Sequence, residues 1–182
     1  MSMIYGERVR LRANEREDLE KFYAWVNDPE VTQGLALNMP MSMAEEEKWL
    51  NAQRDPHEKP LSIEVRKGKG WKLIGNCGVF SIEITNRNAE LGIMIGDKTE
   101  WNKGYGAEVM SLLLRHCFGT LNLNRAFLRV YAGNVRAVRS YEKAGFVLEG
   151  RLREAVYKNG KYDDVLIMSV LRSEWMAKMK EK

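Results

Sequence analysis

Ala89-Glu90-Leu91-Gly92-Ile93-Met94-Ile95-Gly96, followed after a short spacer by Trp101-Asn102-Lys103-Gly104-Tyr105-Gly106-Ala107-Glu108, is the stretch on which the reading of this chain turns. The first half, Ala89 to Ile95, reads as a strand. The second half is a glycine loop that opens a helix from Gly104 toward Phe118. Without Cβ atoms, Gly104 and Gly106 let a ligand come close to the backbone. The first N–H groups of the helix lack intrahelical partners, and its dipole adds positive potential there, so the loop is an anion site suited to a pyrophosphate. Taken alone, two glycines serve a tight turn equally well. The loop is not a Walker P-loop, because Gly-Lys-[Ser/Thr] is absent at the required spacing. Nor is it a dinucleotide fingerprint, since Val109 stands where the third glycine belongs.

Downstream, Arg125 to Tyr131 reads as a strand and Val135 to Ala144 as a helix. Asn134 can cap that helix, Val138 and Tyr141 share one face, and Gly145 ends it in the left-handed position. Two further strands, Phe146 to Tyr157 and Lys161 to Leu171, are joined by Asn159-Gly160, a pair that favours a type I′ turn. Upstream, Arg8 to Arg12 alternates as a strand does. Glu15 to Val26 places Leu19, Phe22, Trp25 and Val26 at helical spacing, and Pro29 stops that helix near Asn27-Asp28. Ser42 with Glu45 forms a capping box that opens a helix through Gln53. Two prolines make a loop of Asp55-Pro56-His57-Glu58-Lys59-Pro60. Ser62 to Arg66 and Trp71 to Phe80 flank Lys67-Gly68-Lys69-Gly70 as a hairpin. The order is that of a mixed α/β (α+β) domain, antiparallel in front, with a strand–helix–strand–helix–strand middle.

The 182 residues fit one domain, 1–182, with 45% hydrophobic and 30% charged residues and no repeat or low-complexity tract, which excludes a disordered chain. The net charge of +4 suits an anionic ligand. The basic residues are scattered and show no aromatic–basic signature of an RNA module, which argues against nucleic acid. No apolar run approaches the roughly 20 residues of a membrane span. Cys77 and Cys117 form no Cys-x-x-Cys pair and read as free thiols of a cytoplasmic protein. His57 and His116 have no further ligands at zinc spacing, so no metal is expected. A homodimer face would be sought among exposed Trp or Met clusters.

Together the two motif segments resemble the signatures of the GNAT superfamily of N-acetyltransferases. Trp101-Asn102-Lys103-Gly104-Tyr105-Gly106 is similar to its [Gln/Arg]-x-x-Gly-x-[Gly/Ala] motif, with Trp101 departing from Gln or Arg as in the branch that acetylates ribosomal-protein N-termini. Asn134 through Phe146 is similar to its Asn-x-x-Ala-x-x-x-Tyr-Glu-Lys-x-Gly-Phe motif. Arg8 to Arg12 resembles the family's first strand, and Gly150 through Met168 the C-terminal hairpin of ribosomal-protein and spermidine acetyltransferases. The resemblance implies a strongly bent mixed sheet of about seven strands, flanked by helices. That sheet is splayed between two central strands, with acetyl-CoA in the splay.

It also implies direct attack of an amine on the acetyl thioester, with three needs: loss of an amine proton, oxyanion stabilisation, and protonation of the leaving thiolate. Tyr141 matches the family's general acid; as a bare residue it reads equally as packing. Glu90 lies off the aliphatic face of Leu91, Ile93 and Ile95 and matches a glutamate of many members. It is the candidate base, with Glu83 as rival and a structural ion pair as the plain alternative. Met94 and Ile95 are expected to offer backbone groups to pantetheine, Lys103, Gly104, Tyr105, Gly106 and Ala107 to cradle the pyrophosphate, and Asn134 to reach the pantetheine amides. Arg139 is expected either at the adenosine phosphates or in solvent. The acceptor stays open between a protein N-terminal α-amine, toward which Trp101 leans, a polyamine, an amino sugar and an antibiotic amine. A non-catalytic CoA sensor is the rival class.

Overall fold

The computed structural model describes residues 3–52 and 60–180. In chain order the strands are β1 (Ile4–Tyr5), β2 (Val9–Ala13), β3 (Pro60–Lys67), β4 (Gly70–Glu83), β5 (Asn88–Ile95), β6 (Arg125–Tyr131), β7 (Val147–Lys158) and β8 (Lys161–Leu171). The helices are α1 (Leu19–Val26), α2 (Pro29–Thr32), α3 (Met43–Asn51), α4 (Tyr105–Gly119), α5 (Val135–Ala144) and α6 (Arg172–Lys180).

The strands form one sheet in the order β1-β2-β3-β4-β5-β6-β8-β7. Every neighbouring pair is antiparallel except β5 with β6. Parallel neighbours need a long crossover, and α4 supplies it. The sheet has one strand more than expected, because the two-residue β1 pairs with β2.

Local signals explain the boundaries. Ser42 Oγ accepts from the Glu45 N–H at 3.2 Å and the Glu45 carboxylate accepts from the Ser42 N–H at 2.7 Å, the reciprocal cap that starts α3. That helix ends at Asn51, ahead of the expected Gln53, which lies with Asp55 to Lys59 outside the described residues; Pro60 opens β3. The helix expected from Glu15 begins as a 3-10 turn, Arg16–Asp18, and becomes α-helical at Leu19. Pro29 stops α1 but also starts α2, with Asp28 accepting from the Glu30 N–H at 2.9 Å. Asn159 and Gly160 both take positive φ, 51° and 78°, as a type I′ turn requires. The sequence reading missed α6, which buries no residue fully; Trp175 anchors it against Phe118 at 5.6 Å between ring centroids.

One face of the sheet carries the core. Val9, Leu11, Ile63, Val65, Val79, Ala89, Leu91, Ala126, Leu128 and Val130 pack there with Val109, Met110, Leu113, Leu114 and Cys117 of α4. On the opposite face, beneath α1, Arg12 binds both Asp18 and Glu64, and Ser62 donates to Asp18 at 2.7 Å. All five tryptophans are half-buried, while Met39, Met43, Met176 and Met179 are exposed. Cys77 and Cys117 are free and buried. Burial pushes both thiols up, that of Cys117 to about 12. No helix among the described residues is long and apolar enough to cross a membrane.

Candidate active site

The parallel pairing of β5 with β6 is short. Asn88, Ala89 and Glu90 face Arg125, Ala126 and Phe127, and the register ends there. The remaining residues of β5, Leu91 to Ile95, keep β4 on one side and have an open edge on the other. At about 3.3 Å per residue that edge runs roughly 16 Å. Ladder alternation fixes which groups face it. The Gly96 N–H donates to Ile74 O at 2.9 Å, so the even-numbered residues of β5 bond to β4 and the odd-numbered ones face away. Met94 thus turns its backbone to β4; a Cβ at Gly75 would stand 2.0 Å from its carbonyl oxygen. Ile93 and Ile95 present theirs to the opening. Of Met94 and Ile95, the two residues expected to serve pantetheine, Ile95 turns its backbone to the opening, as Ile93 does, and Met94 turns its own to β4.

Trp101 closes the far end of this edge. Its indole Nε1 donates to Ile95 O at 2.7 Å, and the Arg136 guanidinium sits 3.7 Å above the ring. Trp101 stands where the motif has Gln or Arg, and its indole N–H is a donor aimed at the strand edge.

The glycine loop follows. Asn102 at φ 62° and Gly104 at φ 82° turn the chain so that Tyr105 starts α4. A Cβ on Gly106 would lie 2.8 Å from Ser140 Oγ and 3.8 Å from Ile95 Cδ1, so the end of β5, the first turn of α4 and α5 converge at this point. These backbone features fit an anionic, extended acyl carrier: an open strand edge leads to a glycine cradle at the N-terminus of a 15-residue helix. Ala107 lies half-buried in the same first turn. Lys103 is held back from the cradle, its ammonium donating to Glu100 at 2.9 Å. Lys67 and Lys72 bind the same carboxylate, each at 3.0 Å. Burial of Glu100, only 3% exposed, works against its charge, but the three ammoniums outweigh it and hold the carboxyl down to about 2. Arg8, a residue the motifs do not mark, braces the loop by donating to Lys103 O at 3.1 Å and pairing with Glu108 at 2.9 Å.

Tyr141 joins the core cluster from α5, its ring tilted against Phe146 at 5.9 Å. Its hydroxyl has no hydrogen-bond partner among the described residues, and burial pushes the phenol up to about 12. Glu90 lies on the opposite face of the sheet from that core, in register with Phe80 on one side and Phe127 on the other. Its carboxylate is 3.5 Å from Arg129, the ion pair of the plain alternative, and its side chain remains 28% exposed. Glu83 is exposed at the β4–β5 turn, accepting from Asn86 at 2.6 Å. Asn134 uses Oδ1 to cap α5 through the Ala137 N–H at 3.2 Å. Its Nδ2 faces Gly34, where a Cβ would approach within 2.3 Å. Arg139 is exposed. No group of His, Cys, Asp and Glu among the described residues could hold a metal ion.

Comparisons with known proteins agree with this geometry. The family model of the acetyltransferase (GNAT) domain matches residues 8–147. The spermidine N(1)-acetyltransferase of Vibrio cholerae serotype O1 is 31% identical over 172 residues, 94% of this chain and 97% of that protein. YdaF of Bacillus subtilis, provisionally named a ribosomal N-acetyltransferase, is 32% identical over 103 residues, 57% of this chain and 56% of that one. Among solved structures, spermidine N-acetyltransferase from Vibrio cholerae in complex with CoA and spermine superposes with a TM-score of 0.84 at 31% identity, covering 94% of this chain and 99% of that one. With both motifs placed around one splay and the family model spanning most of the chain, this protein belongs to the GNAT family and is an N-acetyltransferase that uses acetyl-CoA as donor.

Proposed function

We propose that the acceptor is the α-amine of a peptide or protein N-terminus, of the ribosomal-protein type. The observation that carries this reading is a cleft of about 550 Å³ between the α1–α3 connection and the tip of the β7–β8 hairpin. Apolar Val26, Leu37 and Met39 line it together with the amides of Asn38 and Asn159, and no carboxylate does so among the described residues. Lys158, also in its wall, donates to the carbonyls of Thr32 and Leu35 and so ties the hairpin tip to the loop after α2. A polyamine carries several ammonium charges and calls for carboxylates. A peptide N-terminus carries one charge, at the reacting amine, followed by neutral amides that match such a wall. The second reading, a polyamine acceptor, is favoured by the similarity to spermidine acetyltransferases.

Acetyl-CoA supplies an activated acyl thioester. The chain's own groups do the rest. The backbone of Ile93 and the Ile95 N–H hold the arm along the open edge, and the N–H groups at the start of α4 hold the phosphates. Glu90 takes the proton of the amine, directly or through water, with Arg129 fixing its carboxylate. Tyr141 keeps a proton on Oη for the departing thiolate. Free, buried Cys77 and Cys117 support a cytoplasmic setting.

Thiol release from acetyl-CoA, measured against peptide N-termini, spermidine, spermine and amino sugars, tests the acceptor. Release with peptides alone supports the proposal. Release with polyamines and none with peptides overturns it in favour of the second reading. Clear CoA binding with no release on any amine favours a sensor.

A further inference from the structure

Next to Glu90 the sheet has an unusual floor. Gly78 and Gly92 are cross-strand partners on the face opposite the core, and Phe80 and Glu90 are the next pair on that face. A Cβ placed on Gly78 would stand 2.5 Å from Phe80 Cζ, with Cε2 and Cε1 at 3.0 and 3.1 Å. One placed on Gly92 would meet Phe80 Cε2 at 3.0 Å. The phenyl ring therefore lies down across both glycines and occupies the space that two side chains would take. Immediately beyond Phe80 the β4–β5 register breaks, and Ser81 takes φ 49°. The strand irregularity comes directly after the residue that lies flat. Phe80 is only half-buried, so the ring keeps a free surface. On the other side of Glu90 the register partner is Phe127, whose ring is covered by the Arg125 guanidinium at 4.7 Å. Of the two aromatic neighbours of the carboxylate, Phe80 is the one without a guanidinium over its ring among the described residues.

We propose that Phe80 is the floor of the acceptor site and a specificity-determining residue, taking the apolar substituent borne next to the reacting amine. This deepens the peptide reading and rests on Glu90 lying at the amine: it assigns an acceptor whose first residue carries a large hydrocarbon or aromatic side chain. A flat aromatic surface beside a carboxylate suits that combination. The carboxylate takes the ammonium end, and the ring takes the carbon skeleton attached to it. Gly78 is required for this, because a side chain there would stand 2.5 Å from the ring and lift it, while at Gly92 the ring is in tight contact at 3.0 Å.

The test uses the full chain and two acceptor series, read as kcat/KM by thiol release. The first is a peptide set differing only at residue 1 (Ala, Ser, Met, Phe). The second is a set of simple alkylamines from ethylamine to hexylamine, which reads the floor whatever the natural acceptor is. The expected result for wild type is a preference for the larger apolar member in each series. In Phe80→Ala that preference collapses by tenfold or more, the scale on which lost apolar contacts act in a specificity pocket. Acetyl-CoA affinity, measured by calorimetry, stays within twofold. Gly78→Ala, whose Cβ would stand 2.5 Å from Phe80 Cζ and so displaces the ring without removing it, shifts the ratio in the same direction and guards against a folding failure of the first variant. If the peptides are inert but the alkylamine ratio still collapses, the peptide reading fails and the floor stands. An unchanged ratio in both variants overturns the proposal, as does an equal loss for all acceptors together with weakened acetyl-CoA binding.

Discussion

Tyr141→Phe separates a catalytic hydroxyl from a packing ring, because the structure gives the two roles opposite signatures. The ring is buried against Phe146 and is kept in the variant. Among the described residues the hydroxyl has no hydrogen-bond partner, and it is not one of the buried unpaired polar atoms. Its removal therefore breaks no hydrogen bond there and relieves no buried, unsatisfied group. The variant is expected to keep the wild-type Tm to within about 2 °C. Turnover does not keep its wild-type value. A positioned general acid contributes about 10²–10⁴-fold, or about 2.7–5.4 kcal/mol of barrier, so kcat falls by that factor while the acetyl-CoA Kd is kept. The pH profile gives an independent check. With the phenol pushed up to about 12, its proton stays in place through pH 10, and wild-type kcat shows no alkaline loss from this group below about pH 11. The assay is thiol release from acetyl-CoA with a saturating acceptor, paired with thermal unfolding of the same preparations. Unchanged kcat, or a fall in kcat that merely tracks a fall in Tm, would refute the reasoning.

Glu90→Gln is expected to lower kcat by about a hundredfold at neutral pH, in the range of general-base losses, with acetyl-CoA affinity retained by calorimetry. An effect confined to Tm would mark the Arg129 pair as structural. Trp101→Phe keeps a ring under Arg136 but removes the donor to Ile95 O; stability is expected to fall by about 1 kcal/mol, and the acetyl-CoA Kd to rise by about tenfold as the strand edge loses its anchor. Glu100→Gln tests the three-lysine clamp. The carboxyl is held at about 2, below its ordinary value of 4.5, so its contribution to stability is complete above pH 4.5 and drains away as pH falls through 2. The variant is expected to melt several degrees lower at pH 7, and the gap from wild type to narrow in scans at pH 4, 3 and 2.

Much of this molecule is legible in its sequence, wherever a local rule acts alone. The capping box at Ser42, the Asn159-Gly160 turn, the Asn134 cap with the Gly145 stop, and the glycine loop before α4 each rest on groups a few residues apart. The same locality explains the misses. Helix α6 buries nothing fully and leaves no periodic stripe. Arg8 sits 95 residues from the loop carbonyl it braces. Glu100 draws lysines from β3, β4 and its own loop.

What the sequence by itself determined is the element order and the two motifs, because cap, turn and glycine chemistry are short-range. What only the tertiary structure decided is direction. Ladder alternation relative to Ile74 turned Ile93 and Ile95, and not Met94, toward the opening. The end of the β5–β6 register made that opening. Cross-strand pairing of two glycines allowed Phe80 to lie beside Glu90. Each of these depends on which strand stands next to which, and pairing between distant segments leaves no local trace in the chain.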